Sequence, residues 1–546
     1  MSGPRAKNGR PGNRARLIRR IVQAFSLGLF IWLLGRAAGP AVESRLPPDL
    51  FLRLDPLASL AVPLAAREFI ANFIPGLMLL LATALFGRVF CGYICPLGAT
   101  LDAAGRLVRL GRKPSPVRQS SLNRIKYLLL AGALGAALAG VSLVHWLAPI
   151  PLVTRFYVEF LHPLALWAGG LGLELGRPAL ESLGLANQYT TLPARAFDGL
   201  YIAIFFGILI ILERVRPRFW CGVLCPAGAL LGLMSFRPGR RRRVDQCIGC
   251  GRCLGRCPAG AVAADVRRTR HGECLVCRTC QDVCPVKGVK FGFSRPPEFR
   301  PEQPLQPIQL ISRRAFLGAA GAGLALAGLQ SSALTKLAGG EGPATVRPPG
   351  AVAEPDFLAK CLRCGQCLKA CPTNGLRLLG LESGLDRIFS PYLLARRGPC
   401  EPECFACGRV CPTRAIRPLP SAEKKWAKMG TALVLKESCL AWAENRRCVV
   451  CQEVCPYAAI DLVQETGLQA PAPVVNAARC YGCGYCEFHC PVAKPAIIVT
   501  ADGALRLSAG SFIDEARARG LDLDPDQRGH DEHTPDDQLP PGFILD

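Results

Sequence analysis

The chain has 546 residues, half of them hydrophobic, with 28 cysteines and a formal net charge of +25. Its mean hydropathy of +0.24 argues against a protein held wholly in water, and its length excludes a small disulfide-stapled secreted scaffold. The charge is informative by its placement: residues 1–337 hold 43 basic and 16 acidic side chains, and the arginines cluster in short loops beside apolar segments, so they read as membrane topology and exclude nucleic acid as the partner.

In chain order, apolar segments at 21–42, 69–87, 126–146 and 192–212 read as four transmembrane helices. A shorter Gly-rich apolar interval at 161–173 reads as interfacial or as part of an outer loop. Arginines gather before the first segment (Arg10, Arg14, Arg16), between the second and third (Arg106, Arg109, Arg112) and after the fourth (Arg214, Arg216, Arg218). That bias puts the amino terminus and both later stretches on the cytoplasmic side.

This part contains a repeat. Phe90-Cys91-Gly92-Tyr93-Ile94-Cys95-Pro96 matches Trp220-Cys221-Gly222-Val223-Leu224-Cys225-Pro226, and each copy follows an even-numbered helix. The membrane part thus reads as a duplicated helix pair, and such pairs commonly pack about a pseudo-twofold axis. The axis would bring Cys91, Cys95, Cys221 and Cys225 together at the inner membrane surface. Four thiols there would bind a metal or cluster, or act as two redox-active pairs. The plainer reading is two helix-capping turns with buried thiols.

The other 24 cysteines fall into six runs, each closing on Cys-Pro. Two follow the fourth segment: Cys247, Cys250, Cys253, Cys257 and Cys274, Cys277, Cys280, Cys284. Four come later: Cys361, Cys364, Cys367, Cys371; Cys400, Cys404, Cys407, Cys411; Cys439, Cys448, Cys451, Cys455; and Cys480, Cys483, Cys486, Cys490. Most read C-x2-C-x2-C-x3-C-P, the bacterial ferredoxin spacing, so about six [4Fe–4S] clusters are expected. The spacing is wrong for a zinc ribbon. In a two-cluster ferredoxin three ligands come from one run and the fourth from the other, which assigns Cys247, Cys250, Cys253 and Cys284 to one cluster and Cys274, Cys277, Cys280 and Cys257 to its neighbour.

Between the two groups lies a proline-rich linker at 295–309, which no regular helix fits. Ser312-Arg313-Arg314-Ala315-Phe316-Leu317 then opens a Gly/Ala-rich apolar run. The string is similar to a twin-arginine export signal, a route that carries folded, cofactor-loaded proteins. No small-residue cleavage site stands out after Leu337, so an uncleaved fifth anchor is expected. The expected layout is an α-helical membrane domain of four helices over 1–235, an α+β bacterial-ferredoxin-like domain over 236–294, a linker and anchor over 295–337, a linker over 338–359, a second α+β ferredoxin-like domain over 360–500 and an acidic tail over 501–546.

On these residues the chain resembles two ferredoxin-type families. The four helices, the two C-x3-C-P copies and the two-run ferredoxin are similar to NapH and its relative MauN. The arginine string and the four later runs resemble NapG and its relative MauM, of periplasmic nitrate reductase systems. The resemblance covers about 15–500 and places both parts in one chain. It implies a bacterial inner-membrane protein passing electrons from quinol, through exported clusters, to a periplasmic redox partner, with nitrate reductase as the best-known terminus. It also implies nested pairing of the four later runs: Cys361, Cys364 and Cys367 with Cys490, Cys480, Cys483 and Cys486 with Cys371, and exchange of Cys411 and Cys455 between the middle runs.

No residue reads as an acid–base catalyst, so an electron-transfer component is expected in preference to a substrate-converting enzyme. The six histidines offer no pair inside the bilayer for a bis-histidine haem; His145 alone lies near a membrane helix. No wire therefore crosses the roughly 30 Å of hydrocarbon, and mobile quinol or a partner must link the two sides. The reading from a different class is a redox sensor, or an assembly factor of a respiratory or methylamine-oxidising enzyme. Four exported clusters favour a relay, since a sensor needs one.

Overall fold

A computed structural model describes residues 14–37, 46–108, 121–182, 199–235, 239–293, 312–331 and 345–523. The tail before Arg14, the proline-rich linker at 295–309, residues 332–344 after the anchor, and the acidic tail from 524 lie outside the described residues.

Among the described residues one helix is long and apolar enough to cross a membrane alone: α1 (Arg14–Arg36). After α2 (Ala58–Ala66) the second expected segment forms α3 (Ile74–Phe86), entered through a 3-10 turn with proline in its first turn. α4 (Pro96–Val108) follows the first C-x3-C-P turn. The third segment is shorter than expected. α5 (Ile125–Leu138) stops where Gly140 takes φ +86°, and a separate turn of helix carries His145. The interval at 161–173 is not a loop: α6 (Pro149–Phe156) runs through a π turn at Tyr157–Leu161 into α7 (His162–Ser182). Its Leu and Ala residues outweigh its glycines as helix formers. α8 (Leu200–Val215) leads to the second C-x3-C-P turn and α9 (Pro226–Met234) leaves it.

These helices form a bundle with an apolar outer face. Ile74, Met78, Leu81 and Leu85 of α3, and Leu200, Ile204, Ile208, Ile211 and Val215 of α8, are exposed at helical spacing. The repeat packs reciprocally: α4, after the first copy, lies on α8, before the second, and α9 lies on α3. α10 (Arg313–Ser331), the arginine-led segment, packs along α5. The contact is backbone to backbone. A Cβ at Gly135 would stand 2.3 Å from the Ala320 carbonyl oxygen, and one at Gly323 would stand 2.1 Å from that of Gly132. Small residues on both helices are what permit this approach.

The two cysteine-rich units are small and loop-rich, each tied by short antiparallel ladders. β1 (Arg241–Val244) pairs with β2 (Val289–Gly292) around the first two runs. In the second unit β3 (Leu376–Leu378) pairs with β4 (Pro391–Leu393), β5 (Thr431–Val434) with β8 (Ile497–Thr500), and β6 (Ile460–Val463) with β7 (Ala472–Val475).

The units sit at opposite ends of the bundle. At the start of α1, the Arg16 amide donates to Asp282 of the first unit at 3.2 Å. At its end, Ala37 packs with Ala370, Ala406 and Val410 of the second unit. The intervening helix has 23 residues, so the separation is about 35 Å.

Candidate iron–sulfur centres

All 28 cysteines are free thiols. In the first unit Cys247, Cys250, Cys253 and Cys284 line one cavity. Cys277, Cys280 and Cys257 all act electrostatically on Cys274 and form the second quartet. Both groupings agree with the sequence assignment.

The second unit corrects the nested pairing. Cys371 lines a cavity with Cys400, Cys404 and Cys407, not with Cys480, Cys483 and Cys486. Cys411 stands beside Cys361, Cys364 and Cys367. Likewise Cys455 joins Cys480, Cys483 and Cys486, and Cys490 joins Cys439, Cys448 and Cys451. The pairing is sequential, first run with second and third with fourth. The ladders give the reason. The Ala351–Ile416 bridge joins chain just before the first run to chain just after the second, and β5–β8 does the same around the third and fourth. Each pair of runs is thereby closed on itself.

The quartets suit polynuclear clusters. Four of them each bring four thiols around one cavity, the ligand number of a [4Fe–4S] cluster. Backbone amides donate to ligand sulfurs: Ala261 to Cys257 at 3.3 Å, Ile416 to Cys411 at 3.5 Å, Ala432 to Cys480 at 3.3 Å, Ala459 to Cys455 at 3.4 Å and Ala496 to Cys490 at 3.4 Å. Such bonds stabilise sulfur that carries negative charge and help set cluster potential. Burial above all pushes the Cys361 thiol up to about 11 and Cys364 up to about 12. Thiols so placed ionise together only with added positive charge, which iron supplies.

The four quartets of the second unit form a series. The Cys361 quartet faces the bundle: Arg363 Nη1 donates to His145 Nε2 at 2.9 Å, and Gln366 Nε2 to the Pro48 carbonyl at 2.8 Å. Since His145 Nε2 accepts, its Nδ1 carries the proton and donates to the Ser142 carbonyl at 3.0 Å, so the ring is neutral. The Cys371–Cys407 quartet follows. Its Cys400 amide donates to the Cys483 carbonyl at 2.8 Å, which joins it to the Cys480 quartet. Tyr457 and Tyr481 stack between these two quartets, centroids 4.9 Å apart and nearly parallel, within electrostatic reach of Cys400 and Cys483. The Cys439 quartet adjoins the Cys480 quartet, since Cys451 acts electrostatically on Cys486. Neither tyrosine stood out in the sequence, where Phe405, Trp442, Tyr485 and Phe488 are further aromatics within the runs.

The C-x3-C-P thiols also converge. Cys91 and Cys221 both act electrostatically on Cys95, and Cys91, Cys95 and Cys221 all act on Cys225. The arginine three residues before each motif crosses to the other copy. Arg218 Nη1 donates to the Cys91 carbonyl at 2.7 Å and its Nη2 abuts Gly98; Arg88 Nη2 abuts Gly228, the equivalent glycine. This is pseudo-twofold packing, with neither motif on a flank of its own. The group touches the first unit, because Tyr93 donates to the Val276 carbonyl at 3.2 Å, between Cys274 and Cys277. A buried cluster of charges fixes the contact: Glu273 accepts from Lys126 at 2.5 Å and from Arg88 at 3.1 Å.

A family model described as a 4Fe-4S binding domain matches residues 69–115 and 198–244, the two stretches that carry the C-x3-C-P copies. The methylamine utilization ferredoxin-type protein MauM of Methylorubrum extorquens is 42% identical over 201 residues, covering 34% of this chain and 88% of the relative. The ferredoxin-type protein NapG of Escherichia coli is 43% identical over 205 residues, 34% of this chain and 84% of the relative. The methylamine utilization ferredoxin-type protein MauN of Methylorubrum extorquens is 29% identical over 254 residues, 44% of this chain and 73% of the relative. No solved structure matches.

Proposed function

The chain belongs to the ferredoxin-type family of MauM and NapG, and from that premise we propose that it is a multi-pass membrane electron-transfer protein of the bacterial inner membrane. It takes electrons from quinol and passes them along the exported second unit to a periplasmic oxidoreductase, with nitrate reductase as the terminus. The 24 cysteines of the six runs hold [4Fe–4S] clusters, which when bound each take up and release one electron. The observation that carries the reading is the series of four neighbouring quartets, in which that of Cys361 faces the helix bundle and those of Cys400, Cys483 and Cys439 follow in turn.

Membrane embedding is supported by the outward apolar stripes of α3 and α8 and by the length of α1. The backbone contact of α10 with α5 supports an anchor helix retained in the bundle. The charged anchor at Glu273 keeps the first unit on the arginine-rich, cytoplasmic end. Cys91, Cys95, Cys221 and Cys225 form one shared redox site beside that unit, either a further cluster or two thiol pairs.

The test uses anaerobic membranes holding the full chain. Added quinol should bring up the paramagnetic signal of reduced clusters. Cys451→Ser, in the last quartet of the series, should leave that signal largely intact and stop delivery to an added periplasmic acceptor. Clusters that respond to dithionite and not to quinol would reject the reading.

A further inference from the structure

We propose that the cavity between the bundle and the second unit is where hydroquinone is oxidised, with Glu159 as the proton acceptor. The inference rests on the quinol-fed reading and gives it a place. The cavity is lined by Val158, Glu159 and Tyr201 from the bundle and by Leu376, Arg377 and Leu378 from the second unit. No cysteine lines it, so it is distinct from the cluster cavities.

A hydroquinone gives up two electrons and two protons, and the surroundings provide for both. The Glu159 side chain is buried, and Tyr201 Oη donates to its Oε2 at 2.5 Å. A carboxylate with a phenol hydrogen-bonded to it can take a proton from a ligand O–H and pass it on. Two quartets border the same space. A Cβ at Gly365, the residue after Cys364, would stand 3.7 Å from Val158 Cγ1 and 4.0 Å from Glu159 Oε1. Leu376 lines both this cavity and the one enclosed by Cys371, Cys400, Cys404 and Cys407. One two-electron donor site thus adjoins two one-electron acceptors.

The location also suits a lipid-soluble ligand. Pro163 and Tyr201 line the cavity, and close to them in the chain Trp167 and Leu171 on α7 and Leu200 and Ile204 on α8 are exposed apolar side chains of the kind a membrane covers. In the step, both O–H bonds of the hydroquinone break and the quinone forms. The clusters that the two adjoining quartets would hold would take up the two electrons singly. The two protons leave in turn by way of Glu159 and Tyr201 to the outer solution.

The experiment uses the full chain in lipid vesicles. A photoactivatable azidoquinone, mapped by peptide mass spectrometry, should label 157–163, Tyr201 or 374–378. Leu378→Trp, which fills the cavity, should abolish that labelling. Glu159→Gln should retain labelling while quinol-driven cluster reduction slows by about a hundredfold, with iron content and dithionite reduction unchanged. Labelling confined elsewhere, or wild-type rates in both variants, would overturn the site and leave the quinol-fed relay standing. A wild-type chain that no quinol reduces would overturn the relay itself.

Discussion

Glu273 shows how much one side chain decides. It is buried against Arg88 and Lys126, both fully buried as well, and it ties the first unit to both helix-pair copies. Glu273→Ala would strand two buried cations, at a cost of about 3–5 kcal/mol. The expected outcome is release of the first unit, read as new trypsin cleavage between 236 and 312. Burial raises the Glu273 carboxyl, but Lys126 and Arg88 outweigh it and hold the group below its ordinary 4.5. A carboxyl lowered on folding contributes its stability fully above 4.5 and loses it as pH falls through the folded value. Trypsin resistance should therefore be the same at about pH 5 and pH 7 and fail only in stronger acid.

At the scale of elements, short ladders and small residues decide what joins what. β5–β8 encloses the third and fourth runs, so Cys490→Ser should remove the cluster of Cys439, Cys448 and Cys451 and spare that of Cys361. Iron content should fall by about one cluster's worth, and the resolved spectrum of reduced clusters identifies which is lost. The α5–α10 contact has no room for a side chain at Gly323. Gly323→Leu should cost about 1–3 kcal/mol by overpacking and detach α10 from α5. A disulfide engineered across that helix pair would then fail to form, whereas it forms in the parent chain.

At the scale of the molecule, the roughly 35 Å of α1 between the two units is too long for direct passage. On the quinol-fed reading proposed above, mobile quinol links the two ends. Cys274→Ser in the first unit should leave quinol-driven reduction of the second unit unchanged. Reporter fusions after Gly292 and after Ser508 should give opposite signals, and Lys in place of Arg313 and Arg314 should hold the second unit inside.

By itself the sequence determined the chemistry. Thiol spacing is local, so the C-x2-C-x2-C-x3-C-P runs reveal cluster loops, and the exchange of Cys257 and Cys284 follows from having two runs with one partner each. The repeat around Cys91 and Cys221 likewise announced a symmetric pair of helices. Four runs admit several pairings, however, and the choice fell to β5–β8 and the Ala351–Ile416 bridge, contacts between residues far apart in the chain. The helix over 161–173 is not marked by hydrophobic length, being short and Gly-rich, and it forms as the continuation of Pro149–Phe156 through the π turn at Tyr157–Leu161. Glu159 and Tyr201 lie 42 residues apart on different helices, and their meeting beside Gly365 depends on how the second unit seats on the bundle. Local spacing fixes which groups can bind iron, while the distances between those groups and the side chains that serve them exist only once the helices and ladders have packed.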